Sequence, residues 1–167
     1  YCDPIAGQTD RSYLMAELPH NGRHYEPLEA RNVCYTELIN YLSDFLVKLG
    51  FISVSIDGEE KEFLSKVENK FQEKTELELD LVRIVSQNLG RRKVEVILYD
   101  KFISRIEPEI VVVANTSVGK DSLIEVCKKR DIPVAEFQHG TIHEFSLNYS
   151  FPGDRTKQNF PDYFLVW

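Results

Sequence analysis

The sequence predicts an α/β fold, a Rossmann-like parallel sheet with an added helical segment. Three observations predict it. Residues 109–115, EIVVVAN, form a continuous apolar and β-branched run, as in a strand covered on both faces. Residues 116–131 follow, with Leu123, Ile124 and Cys127 on the apolar face of a helix. Residues 132–137, IPVAEF, then make a second buried strand. Strand, helix and strand within roughly 30 residues are a βαβ unit with a right-handed crossover.

The remaining elements follow in order. Residues 1–30 are irregular, punctuated by Pro4, Gly7, Pro19, Gly22 and Pro27, with one short strand in SYLMAEL. A helical pattern begins at Asn32. It places Val33, Leu38, Ile39, Leu42, Phe45, Leu46 and Leu49 at three- and four-residue steps, and Gly50 stops it. FISVSI has the β-branched content of a strand and the length of a connector. Asp57 with Glu60 three residues on reads as a helix N-cap, and Phe63, Leu64, Val67 and Phe71 follow it. Another helix begins near Glu76, with Leu77, Leu81, Ile84, Val85 and Leu89 on one face and a bend or break at Gly90. KVEVILYDKFISRI continues as helix, with a strand as the alternative, and Pro108 closes the region. YFLVW adds a last strand. The division is residues 1–108, irregular chain plus helices packed on the sheet, and residues 109–167, the βαβ unit, in one compact domain.

Composition narrows the functions. The 167 residues are 43% hydrophobic and 28% charged, ordinary values for a globular chain able to bury a core. A net charge of −7 argues against a nucleic-acid partner, because a phosphate backbone needs a basic face. The clusters Arg91-Arg92-Lys93 and Lys128-Lys129-Arg130 read as solvated helix faces. Cys2, Cys34 and Cys127 form no CxxC pair, so free thiols in a reducing, cytoplasmic compartment are expected. No apolar run approaches the ~18 residues of a membrane span. The chain lacks an initiating Met and stops in the strand-like PDYFLVW, which suggests a piece of a longer protein.

Ligands of doubly wound sheets bind outside the carboxyl ends of the strands. Asn115, Thr116 and Ser117 leave the first such end, and Gln138, His139 and Gly140 leave the second. TSVGKDS fails as a Walker A loop, since Asp121 follows Lys120 where a hydroxyl should hold Mg²⁺. It is closer to the Ser-Gly-Gly-x-Asp-Ser loop of PP-loop ATP pyrophosphatases, with Val118 out of pattern. Its plain reading is a helix start, with Ser117 as N-cap and Asp121 in the first turn. In QHGTIH, His139 and His143 are four apart, but Gly140 disfavours a helix there and no third metal ligand is evident; His20 and His24 repeat the spacing in a loop. Cys127, on the buried face, is a poor nucleophile. His139 beside a residue without Cβ reads as a strand cap, or as a base or anion contact at a place where backbone meets ligand closely.

At these residues the chain resembles a known family. Glu136, Gln138, His139, Gly140, Tyr149, Pro161, Asp162 and Tyr163 follow, in order, the Gln-His-Gly region of bacterial GT-B-type glycosyltransferases of capsule and lipopolysaccharide synthesis. The resemblance covers residues 109–167, with a weaker echo in CDPI, Glu17 and Pro19. Ser146 stands where the pattern often has a second His, and His143 lies three residues earlier. The resemblance implies the amino-terminal half of a GT-B-like fold, facing the acceptor, with a nucleotide-sugar domain beyond it. It implies His139 as the catalytic residue. Gln138, Gly140, Thr141, Ser117, Lys120, His143 and Tyr149 would bind substrate. No metal or cofactor is implied for this domain; a nucleotide-sugar donor is implied for the whole enzyme. The expected partner is a saccharide or lipid-linked saccharide, at the cytoplasmic face of the membrane or in the cytoplasm. A PP-loop ATP-binding enzyme and a non-catalytic binding module are the alternatives.

Overall fold

The computed structural model describes residues 2–19, 23–24, 32–114, 116, 120–138, 140, 142, 146, 149, 157 and 159–166, without the side chains of Cys2 and Asp3. The described residues form a mixed α/β structure with small parallel sheets and five helices. The chain divides into two compact units, residues 1–40 with 96–167, and residues 41–95.

The first unit holds both sheets. Strands β1 (Met15–Glu17) and β2 (Val33–Tyr35) pair in parallel, with Ala16 opposite Cys34. Buried Thr36 extends the pairing, its N–H donating to the Glu17 carbonyl at 3.0 Å. Strands β3 (Val111–Val113), β4 (Val134–Phe137) and β5 (Tyr163–Leu165) form a second parallel sheet in that order. Val113, Glu136 and Phe164 stand side by side across it.

Helix α5 (Asp121–Lys129) joins β3 to β4, as the βαβ pattern requires. Its Ile124, Val126 and Cys127 are buried with Val113, Val134 and the Tyr99 and Ile103 of helix α4 (Leu81–Ile106), and this is the core. A long apolar stripe on α4 and alternating apolar positions on the strands thus remove the same surface from water, at about 25 cal/mol per Å² buried. The charges of α5 complement its dipole, with Asp121 in the first turn and Lys128 and Lys129 in the last. The basic pieces are paired: Lys129 with Glu125 at 2.6 Å, Arg130 with Asp100 at 2.7 Å, and Lys128 with Asp162.

The second unit is helical. It contains most of α2 (Glu37–Lys48), all of α3 (Gly58–Thr75) and the first half of α4. Gly50 ends α2 at φ 74°, with its N–H on the Val47 carbonyl and that of Phe51 on the Leu46 carbonyl, a Schellman closure. Asp57 caps α3, its side chain accepting the Glu60 N–H at 2.8 Å. Glu68 reaches across from α3 to accept the Leu81 N–H at the start of α4.

Several expectations are corrected. Residues 2–8 are not irregular but form a short helix, α1 (Cys2–Gln8), whose Pro4 sits in the first turn where proline is tolerated. Val33 belongs to a strand, and the helix expected from Asn32 begins at Glu37. FISVSI is a connector. The helix expected near Glu76 starts at Leu81, because Glu76 itself takes a left-handed conformation at φ 59° that closes α3. Gly90 does not break α4, which runs unbroken over 26 residues. Gly90 is buried where α4 meets Val47 and Ile52. β3 is not covered on both faces, since Val112 is 46% exposed while Val113 is 5% exposed. The N-cap of α5 is Lys120 rather than Ser117, with no side-chain cap bond.

Candidate functional site

The carboxyl ends of β3 and β4 bring together three polar residues. Glu136 lies in the middle strand, fully buried. An apolar strand that carries a buried carboxylate must supply donors to it. Two come from distant parts of the chain. The Thr116 N–H donates to Glu136 Oε1 at 2.9 Å, with the Thr116 hydroxyl 3.4 Å from the same oxygen. The Tyr149 hydroxyl also donates to Oε1. Glu136 Oε2 has no hydrogen-bond partner among the described residues.

Thr116 is itself buried, three residues past the end of β3, so its N–H has left the strand ladder. Glu136 supplies the acceptor that the ladder no longer does. Tyr149 stands edge-on to Phe160 and Phe164, with centroids 5.9 and 5.7 Å away. Burial, and then the hydrogen bond to Glu136, push its phenol above the ordinary value. Tyr149 is therefore a donor here, holding its proton toward a carboxylate.

Gln138 leaves β4 next to this cluster. Its N–H donates to the Leu165 carbonyl at 2.9 Å, and its side-chain amide donates to the Gly140 carbonyl at 3.0 Å. Gly140 is exposed, and a Cβ there would meet nothing within 4 Å, so one side of the backbone is open. Lys120 is half-buried at the start of α5. Asp121 beside it is paired with Lys157 at 3.0 Å, which offsets the charge that a phosphate would otherwise meet.

Of the residues expected in the site, Gln138, Gly140, Lys120 and Tyr149 are described; His139, Thr141, Ser117 and His143 lie outside the described residues. The PP-loop comparison over Ser117, Val118 and Gly119 also falls outside them. Glu136 entered the sequence reading only as part of a motif. The signal that could have singled it out is a carboxylate inside VAEF, a run that otherwise reads as core. His24, of the second His pair, bonds Glu37 at 2.8 Å and stacks on Tyr35 at 3.8 Å. Among the described residues no group of three or more His, Cys, Asp or Glu could hold a metal ion. No helix of the described residues is long and apolar enough to cross a membrane.

A groove of about 420 Å³ lies in the second unit, lined by Ile56, Phe63, Leu64, Val85 and Leu89 with Glu59 and Glu60. It contains none of the expected site residues, and its lining lacks the convergent polar groups that orient a substrate. The carboxyl edge of the β3–β4–β5 sheet is the better site on chemistry. Compared with known proteins, the chain matches no family model, no curated protein and no solved structure.

Proposed function

We propose that this chain is the acceptor-side, amino-terminal half of a GT-B-type glycosyltransferase-like enzyme of surface-polysaccharide synthesis. The observation that supports it is the Glu136–Tyr149 hydrogen bond, which joins two residues of the Gln-His-Gly region at the carboxyl edge of a parallel sheet. A hydrogen bond between residues distant in the chain restrains the polar groups beside them, as substrate positioning requires.

In this proposal His139 takes the proton from an acceptor hydroxyl as that oxygen attacks the sugar carbon of the donor and the bond from that carbon to the nucleotide phosphate breaks, the nucleotide leaving. Gln138, Gly140 and Thr141 offer hydrogen bonds to saccharide hydroxyls. Ser117 and Lys120 would line the same rim, where the ammonium of Lys120 would offset donor phosphate charge. The nucleotide-sugar donor belongs mainly to a further domain of the whole enzyme.

The test is nucleotide release by the intact protein, across UDP-, GDP-, CMP- and CDP-linked sugars. One donor class should turn over, and His139→Ala should lower that rate by at least about tenfold while the unfolding midpoint stays in place. A near-normal rate removes His139 from catalysis. Tight Mg²⁺-dependent ATP binding without sugar transfer replaces the proposal with a PP-loop enzyme. A folded protein that binds saccharide and turns over no donor replaces it with a binding module.

A further inference from the structure

We infer that Glu136 is a positioning residue. Through one buried oxygen it joins Thr116, beyond β3, to Tyr149, far beyond β4, and so fixes Gln138 and Gly140 between them. Three segments of chain meet at Oε1. Thr116 arrives from 20 residues before Glu136 and Tyr149 from 13 residues after it. Closing a loop of that length costs conformational entropy, so the bond must be strong enough to hold it. Hydrogen bonds to a carboxylate in a buried place are of the stronger kind.

The surroundings leave little slack. Glu136 is held by the ladder on both sides, between Val113 and Phe164. The Tyr149 ring is bracketed by Phe160 and Phe164, so its hydroxyl has a fixed direction. The Tyr149 N–H donates to the Ser146 carbonyl at 2.8 Å, which makes a turn just before the phenol. Gln138 is pinned at its backbone by Leu165 and ties its own side chain to Gly140. A carboxylate that served packing alone would be better replaced by an apolar side chain of the same volume. Glu136 instead takes donors from two other segments, which fits alignment of those segments rather than bulk stability.

The role in sugar transfer rests on the function proposed above; the joining of the three segments does not. The experiment reads the two separately. Amide exchange is followed residue by residue in the intact protein for wild type, Tyr149→Phe, Glu136→Gln and Glu136→Ala. Tyr149→Phe should speed exchange at Gln138 and Tyr149 on the order of tenfold, with Ile124 and Val126 in α5 unchanged. Glu136→Gln keeps an acceptor oxygen and should return both amides to within about threefold of wild type, whereas Glu136→Ala should exceed Tyr149→Phe. Exchange at Gln138 and Tyr149 that stays within about twofold in Tyr149→Phe overturns the inference. So does an equal rise in α5, which would mark general destabilisation.

With a donor in hand, Tyr149→Phe should raise the acceptor KM and lower kcat/KM about tenfold, with the donor KM within about twofold. An unchanged kcat/KM despite faster exchange also overturns the positioning role. If wild type turns over no nucleotide sugar, the glycosyltransferase proposal falls, and the exchange data still decide whether Glu136 joins the segments.

Discussion

Asp162 and Val134 exchange two hydrogen bonds. The Val134 N–H donates to Asp162 Oδ2 at 2.9 Å, and the Asp162 N–H donates to the Val134 carbonyl at 2.8 Å. The other carboxylate oxygen holds Lys128 of α5. One residue just before β5 therefore fixes the start of β4 and the last turn of α5 together.

That arrangement predicts an acid-sensitive contribution to stability. The Lys128 ammonium, and then the Val134 N–H, hold the Asp162 carboxyl below its ordinary value. A group whose folded value is depressed stabilises fully above its unfolded value, near pH ~4, and loses that contribution as pH falls through the folded value. The stability gap between wild type and Asp162→Asn should therefore hold from neutral pH down to pH ~4 and narrow as the pH falls further, in urea titrations. Asp162→Ala should cost about 1 kcal/mol more than Asp162→Asn, since Asn still accepts from Val134.

Cys127 should be silent toward thiol reagents in the folded protein. It is fully buried, and burial first, then the nearby Asp162 charge, push its thiol up to about 11. At pH 8 the reactive thiolate is then scarce as well as shielded. Peptide mapping after a short alkylation should find Cys127 unmodified in native protein and modified in urea. Equal labelling in both states would contradict the packing of α5.

Two glycines should respond with opposite signs to the same substitution. Gly90→Ala adds a Cβ that meets Val47 Cγ2 at 3.4 Å and the Ile52 carbonyl at 3.5 Å, which are ordinary contacts. Within a helix interior the change should stabilise by about 0.5–1 kcal/mol. Gly50→Ala finds open space but must hold φ at 74°, and should destabilise by about 1 kcal/mol. Denaturant midpoints of the two variants should fall on either side of wild type.

What could be read in the sequence was mostly local. The Asp57 cap depends on one side chain and an N–H three residues on, and it stands as expected. The helix and strands between 111 and 137 were legible because their periods differ sharply. Val33, Cys34 and Tyr35 were not, because their partner strand lies 18 residues earlier and a helical period reaches Val33 by coincidence. Gly90 was misread for a similar reason: propensity argues a break, and the contact with Val47 and Ile52 is invisible in a linear pattern. At the site, the strand ends were legible from topology, whereas the convergence of Thr116 and Tyr149 on Glu136 spans 33 residues of chain from 116 to 149. No spacing rule reports it.

Helix α3 is capped at both ends, yet none of its 18 residues is buried. Its Phe63 is 65% exposed. A helix held by caps and neighbouring charges, such as the Glu62–Lys66 pair, can fray without taking the core with it. Limited digestion with a protease that cuts after lysine should therefore nick the chain first at Lys61, Lys66, Lys70 or Lys74. The fragment carrying the β3–β4–β5 sheet should outlast the cut, and the place where the chain first comes apart would be far in sequence from the residues gathered around Glu136.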